Sequence, residues 1–175
     1  MVREISAGGV VLREISGTWH VALIEPQKEG TPSAKSPRQR SKAALALPKG
    51  LVDPGETAPV AALREVQEET GIVGELIAKL ADTRYVYVRN WGDGERVFKI
   101  VTFYLLRYVS GEIDDVTAAM RVEVKRALWV PLADASRQLM YSNERKVVRL
   151  AQGHLETRGL QAEDVTPSRR ATKKK

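Results

Sequence analysis

The chain contains no cysteine, and this absence excludes a disulfide framework and any metal site built from thiolates. No apolar run approaches the ~20 residues that a helix needs to span a bilayer, so no membrane partner is expected. The first residues, MVREISAGGVVLREI, lack the basic lead and long apolar core of a secretory signal. With 43% hydrophobic and 29% charged residues over 175 positions, the composition predicts one globular domain in a cytoplasmic protein.

Positive charge is concentrated in two segments of the chain. The net charge is +6, yet the stretch 28–42 alone carries +4 and the last ten residues carry +5, which leaves −3 for the remainder. The Pro, Ser, Gly and Lys content of these two basic segments is typical of flexible segments. We therefore predict a domain over residues 1–158, a basic insertion loop at 28–42 and a flexible basic tail at 159–175. Nucleic-acid binding through the tail is possible but not favoured, and no oligomeric state is indicated.

Apolar runs bounded by turn residues predict a mixed β-sheet. The predicted strands are a hairpin of Ile5–Leu12 and Trp19–Ile24, a short strand at Ala44–Leu47, and later strands at Leu76–Val88, Val97–Val109 and Ala127–Val130. A helix is expected between Thr57 as N-cap and Gly71, and two more over Leu132–Met140 and Ser142–Leu155. This order predicts an α/β fold, an α/β/α sandwich with helices on both faces of the sheet.

The stretch REVQEET sets three glutamates on one side of the first predicted helix. At about 100° per residue, Glu65, Glu68 and Glu69 fall within roughly one third of a turn. Such like charges destabilise an exposed helix by roughly 0.2–0.5 kcal/mol per pair, and they repel more strongly when buried. The residues alone leave two interpretations open, a solvated acidic face and a cation-binding face.

The opposite side of this helix is predicted to pack on the sheet. Its members share a largely apolar character: Val60, Leu63, Val66 and Thr70. Small alanines beside the glutamates leave space for a loop or ligand to approach the acids.

The wider stretch GLVDPGETAPVAALREVQEETGI, from Gly50 to Ile72, resembles the box of the Nudix (MutT-like) hydrolases. Its fixed positions are filled by Gly50, Glu56, Arg64, Glu65, Val66, Glu68, Glu69, Gly71 and Ile72. The resemblance implies the Nudix fold. It also implies a pyrophosphohydrolase in which water attacks the phosphorus of a nucleoside diphosphate linked to another group.

The same resemblance implies Mg²⁺ or Mn²⁺ as cofactor, held by Glu65, Glu68 and Glu69, with the main-chain carbonyl of Lys49 as a further ligand. Glu56 would support these ligands or bind through a water, and Arg64 would orient a glutamate.

A further acid is implied six residues before the Trp of the last strand, which here is Glu123 before Trp129. An ordinary surface glutamate is the equal alternative at that position. Glu65 is the first choice for the general base, with Glu69 and Glu123 behind it.

Outside the box, the segments SAGGVVL, LPKG and DTRYV are similar to those of small bacterial diadenosine polyphosphate hydrolases. Dinucleoside polyphosphates are therefore the expected substrates. Nucleoside triphosphates, RNA 5′ ends and a catalytically silent nucleotide-binding module remain alternatives.

A polyphosphate chain needs several cations. The candidates are Lys49, Arg84, Lys99 and Arg107, while Tyr85, Tyr87 or Trp91 could stack on a base. For each candidate except Lys49, an ordinary structural role is at least as good an interpretation as a contact with substrate. We expect the 28–42 loop to raise affinity for the longest polyphosphates.

Overall fold

A computed structural model describes residues 1–27, 44–89, 92 and 94–161. The predicted insertion loop, Trp91 and the tail beyond residue 161 lie outside the described residues. The strands are β1 (Val2–Ile15), β2 (Thr18–Pro26), β3 (Lys49–Leu51), β4 (Val73–Val88), β5 (Arg96–Ser110) and β6 (Val124–Pro131). The helices are α1 (Ala58–Thr70), α2 (Leu132–Gln138) and α3 (Ser142–Arg158), with a 3-10 turn at Met120–Val122.

The six strands form one mixed sheet in the order β4-β5-β1-β2-β6, with β3 paired to β1. Strand β1 runs parallel to β5, and the remaining pairs are antiparallel. The predicted hairpin is present: β1 and β2 pair up to Ile15 and Thr18, around the left-handed Ser16 and Gly17. Because β3 pairs with β1 at Ser6–Gly8, the chain that leads into α1 is fixed at the centre of the sheet.

Helices cover both faces of the sheet, as the sequence predicted. On one face, Ala61, Ala62 and Val66 of α1 pack on Ala7 and Val11 of β1. On the other face, residues of α2 and α3 join the larger core. Its buried members there are Ala135, Val147, Val148 and Ala151, with Val10, Leu12, Phe103 and Leu105 from the sheet. None of the helices in the described ranges is long and apolar enough to cross a membrane.

Helix α1 has the predicted ends, and Val66 and Thr70 of its predicted inward face are buried. Thr57 is extended and makes no side-chain capping bond, and Gly71 is left-handed at φ +82° and donates its N–H to Gln67. The predicted inward position of Val60 is wrong, since this residue is 53% exposed. The small side chains of Ala61 and Ala62 pack on β1, and on the same helix Glu65 and Glu69 are buried whereas Glu68 stays exposed.

The strand predicted at Ala44–Leu47 is also wrong in detail. Only isolated bridges occur there, from Ala46 to Ile24 and from Leu45 to Leu139, and the strand itself comes later as β3. Leu45 and Leu47 are nevertheless fully buried. The apolar run therefore reflects burial between the sheet and α2–α3 rather than strand pairing.

Candidate active site

Arg64 joins the loop before α1 to the glutamates of the helix. Its Nε and Nη2 donate to the two carboxylate oxygens of Glu56, each at 2.9 Å, and Nη2 also donates to the carbonyl of Leu51 at 3.0 Å. Its Nη1 donates to Glu65 Oε1 at 2.9 Å and to Glu68 Oε2 at 3.1 Å. The hydrogen bonds from Arg64 lower the pKa of Glu56 to about 2. Both oxygens of Glu56 are thus committed to Arg64.

Glu65 lies beneath the loop, in a place that only a glycine permits. A Cβ added at Gly50 would stand 2.2 Å from the Glu65 carboxylate. Glu65 is 8% exposed, and burial raises its pKa in spite of the bond from Arg64. Burial and neighbouring acids both oppose the ionisation of this carboxylate. A cation bound nearby would therefore strongly stabilise its ionised form.

Glu69 is the more deeply buried of the two inward acids, at 6% exposure. Its Oε2 accepts the main-chain N–H of Lys49 at 2.9 Å. Burial raises its pKa to about 8, and the nearby charge of Glu65 adds to this effect. Without a further cation, the pocket favours the protonated acid near neutral pH.

Glu68 and Glu123 are the exposed members of the acidic group. The side chain of Glu68 is 45% exposed and accepts only the bond from Arg64 among the described residues. Glu123 follows the 3-10 turn, and its charge raises the pKa of both Glu65 and Glu69. Glu123 shares one cavity wall with Glu69 and another with Glu68, so the structure places it beside the glutamates of α1.

The donor chemistry fits a hard divalent cation, because clustered carboxylate oxygens are the ligands that Mg²⁺ and Mn²⁺ prefer. Across the described ranges, however, no three acidic or histidine side chains stand as a ready metal-binding group. One oxygen each of Glu65 and Glu68 is held by Arg64, and one of Glu69 by Lys49. Each of the three keeps a second oxygen with no hydrogen bond to the described residues.

Two neighbouring cavities share part of their walls, and the first of them reaches Glu69 and Glu123. The first, which we call the carboxylate cavity, has a volume of about 840 Å³ and is lined by Ile24, Leu47, Lys49, Glu69, Lys99, Glu123 and Tyr141 among others. The second, the tyrosine cavity, is also about 840 Å³ and is lined by Lys49, Arg84, Tyr85, Tyr87, Lys99, Tyr141, Ser142, Asn143 and Glu144. Lys49, Lys99 and Tyr141 line both cavities and so mark the junction between them.

Strand alternation turns Lys99 and the two tyrosines of β4 toward the tyrosine cavity. Lys99 Nζ is 3.8 Å from Glu4, and burial lowers the pKa of this lysine. The Tyr87 hydroxyl donates to Glu4 at 2.9 Å, and the rings of Tyr85 and Tyr87 are 6.3 Å apart. Burial raises the pKa of Tyr85 to about 12, so its hydroxyl stays neutral.

Arg84 differs from the predicted cations Lys49 and Lys99. Its guanidinium is 3.9 Å from Asp82, whose other oxygen accepts the hydroxyl of Thr102. Thr102 and Arg84 belong to the opposite face from Lys99, as the pairing of Arg84 with Ile100 and of Tyr85 with Lys99 requires. Arg84 therefore contributes to the wall of the tyrosine cavity, but its charge lies away from Lys99.

Glu144 is a site residue that sequence reasoning missed. It is 2% exposed and pairs with Lys49 Nζ at 2.9 Å. The two residues are 95 positions apart, and a glutamate in the first turn of a helix is ordinary in sequence. No local pattern could have linked them.

The mixed sheet between two helix layers, with an arginine-linked acidic helix on one face, forms an α/β/α domain. Residues 6–151 match the NUDIX domain family. The chain belongs to this family.

Relatives of known name are similar to parts of this chain. The putative mutator protein MutT4 of Mycobacterium tuberculosis is 37% identical over 152 residues, which cover 86% of this chain and 55% of that protein. An 8-oxo-(d)GTP phosphatase of Mycolicibacterium smegmatis is 35% identical over 103 residues, covering 59% of this chain and 28% of that protein. The chain thus spans about half, or less, of the length of these two relatives.

Solved structures share the fold. An Ap4A hydrolase of C. elegans, in a binary complex, has a TM-score of 0.61 at 22% identity and covers 87% of this chain and 98% of its own. At this identity the likeness shows the architecture alone.

Proposed function

We propose that this domain is a divalent-metal-dependent pyrophosphohydrolase, and that its preferred substrates are dinucleoside polyphosphates. The carrying observation is that buried Glu69 lines a cavity that also contains Lys49 and Lys99, and that these two lysines line a second cavity as well. A substrate with a polyphosphate in the middle and a nucleoside at each end fits two connected compartments with cations at their junction.

Glu65, Glu68 and Glu69 are the residues we assign to Mg²⁺ or Mn²⁺, with the Lys49 carbonyl and Glu123 as further donors. A cation bound there supplies positive charge to the phosphate oxygens and acidifies water. Both oxygens of Glu56 accept bonds from Arg64, so we assign Glu56 the role of fixing Arg64, which in turn holds Glu65 and Glu68 in place.

The reaction is a water attack that breaks one phosphoanhydride P–O bond. We assign the proton of the attacking water to Glu65 Oε2, the oxygen that accepts no bond from Arg64, so that Glu65 would reach a bound cation only through this water. The electron pair of the broken bond passes to the leaving phosphate. Lys49 and Lys99 are the cations assigned to the phosphate chain, while Tyr85 and Tyr87 offer ring faces to a base.

Nucleoside triphosphates are the second candidate substrates, favoured by the 35% identity to the 8-oxo-(d)GTP phosphatase. A triphosphate has only one nucleoside end, so it would leave one of the two cavities without a base.

A substrate panel tests the proposal. Purified protein with Mg²⁺ is incubated with dinucleoside polyphosphates of three to six phosphates, nucleoside triphosphates, ADP-ribose and 5′-triphosphorylated RNA, and products are separated by anion exchange. We expect kcat/KM for a dinucleoside polyphosphate to exceed that for any triphosphate by about tenfold or more. Preference for triphosphates would overturn the substrate assignment, and tight binding without any hydrolysis would overturn the reaction.

Gly50→Ala probes the contact between the loop and Glu65. The added methyl group must displace the Glu65 carboxylate, since the two would otherwise be 2.2 Å apart. Because that carboxylate is the end of a flexible side chain, we expect a small stability loss of about 1 kcal/mol or less but a kcat at least about tenfold lower. Steady-state kinetics and thermal melting measure the two effects.

The matched control is Gly153→Ala on α3, where an added Cβ meets nothing within 4 Å. This variant should keep full activity and gain slight stability from the better helix former. Equal activity of Gly50→Ala and the wild type would contradict the assigned position of Glu65.

A further inference from the structure

Glu144 is a buried carboxylate that has no part in the proposed reaction. Although it lies in the first turn of α3, it is only 2% exposed. Its Oε1 accepts the N–H of Leu47 at 2.6 Å and its Oε2 accepts Lys49 Nζ at 2.9 Å. Glutamate is rarely buried unless it is paired and hydrogen-bonded, so these two partners account for its place in the fold.

Lys49 is held from both sides. Its main-chain N–H donates to Glu69 on α1, while its ammonium group pairs with Glu144 on α3. The ring centroid of Tyr141 lies 5.3 Å from the same ammonium group. An ammonium carries three N–H donors, so the bond to Glu144 leaves two donors and fixes their directions.

We infer that Glu144 is a positioning residue, which fixes the Lys49 ammonium group at the junction of the two cavities so that its remaining N–H donors face a polyphosphate. The inference rests on the proposed function, which gives Lys49 a phosphate contact. A lysine side chain is long and flexible, and one that is already held gives up less freedom when phosphate binds. Glu144 thus acts on the substrate only through Lys49.

A purely structural role for Glu144 makes a different prediction. The turn between α2 and α3 is also joined to the chain before β3 by Met140, whose N–H donates to the carbonyl of Leu45 at 2.9 Å. If Glu144 only reinforced this connection, its loss would lower stability and affect catalysis equally with or without the Lys49 side chain.

A double-mutant cycle of Glu144→Gln and Lys49→Met separates the two roles. The glutamine oxygen still accepts the Leu47 N–H, but its amide nitrogen cannot accept a bond from Lys49. We expect Glu144→Gln to raise KM about tenfold and to change kcat less than twofold. In the Lys49→Met background, the same change should leave KM within twofold. The exposed Glu156→Gln on the same helix is the matched control and should alter neither constant.

Calorimetric binding of inorganic tripolyphosphate, with Mg²⁺ present, gives a measurement that needs no turnover. We expect Glu144→Gln to weaken this binding about tenfold in the wild type and not at all in Lys49→Met. A protein that binds tripolyphosphate in this pattern but hydrolyses nothing would refute the proposed function and leave the role of Glu144 standing.

Three results would overturn the inference: an undiminished effect of Glu144→Gln in the Lys49→Met background, a lower melting temperature with unchanged KM and Kd, or no tripolyphosphate binding by the wild type.

Discussion

Glu68→Gln is expected to lower kcat/KM by a factor of roughly 10²–10³ while the melting temperature stays within about 2 °C of the wild type. Glu68 is the most exposed of the three clustered glutamates on α1, and its only hydrogen bond among the described residues is the one from Arg64. An exposed pair of this kind contributes about 0.3–0.5 kcal/mol, so the fold loses little. We expect activity to depend on Glu68 because we propose that its negatively charged carboxylate binds the metal ion.

Activity and melting are measured on the same preparation with saturating Mg²⁺. Glu14→Gln, at the exposed end of β1, is the matched control and should behave as the wild type. A Glu68→Gln protein of undiminished activity would refute the metal role of this residue, and a large drop in melting temperature would show that Glu68 stabilises the fold.

The metal-free protein is expected to lose stability as the pH rises from about 5 to 8. Glu69 has a pKa of about 8 in the folded state and 4.5 as the ordinary value. Between these two values the unfolded chain has released the proton and the folded chain still holds it, so rising pH favours unfolding. This difference in pKa lowers the free energy of unfolding by roughly 3–5 kcal/mol in total. The loss builds up between the two pKa values and stays constant at higher pH.

Glu65 also makes the folded protein less stable as the pH rises, because burial raises its pKa as well. Glu56 does not contribute in this window. Its pKa of about 2 gives stability that is fully present above 4.5 and is lost only as the pH falls toward 2.

Urea denaturation in EDTA, repeated from pH 5 to 8.5, measures how steeply the free energy of unfolding falls with pH. Glu69→Gln should remove most of this pH dependence, whereas Glu68→Gln, at an exposed position, should retain it. Because a cation compensates ionised carboxylates, Mg²⁺ should stabilise the wild type more at pH 8 than at pH 5. A wild-type stability that is flat or rising over this range would contradict the buried state of Glu69.

Much of the site could be predicted from local sequence. Thr57 and Gly71 fixed the ends of α1 correctly, and the spacing of Glu65, Glu68 and Glu69 predicted their shared face. Arg64 was expected to orient a glutamate, and in the structure it donates to both Glu65 and Glu68. These features depend on helix geometry and on neighbours in the chain, which the sequence displays directly.

Features that depend on distant contacts could not be predicted in the same way. Glu144 is buried because Leu47 and Lys49 lie beside it in the folded protein. The exposure of Val60 depends on how closely the alanines of α1 approach the sheet. The direction of Arg84 depends on the register of β4 against β5, which shifts at irregularities before that residue.

The parallel pairing of β1 with β5 has a consequence for biosynthesis. Each partner is 95 positions from the other, as in Val2 with Val97 and Leu12 with Arg107. Helix α1 lies between these two strands in the chain, so the ribosome must release residue 107 before the sheet beneath it can close, and residue 123 before Glu123 can join its acidic face. Local hairpins are free to form earlier, but this long-range closure makes slow folding the expectation for the nascent chain.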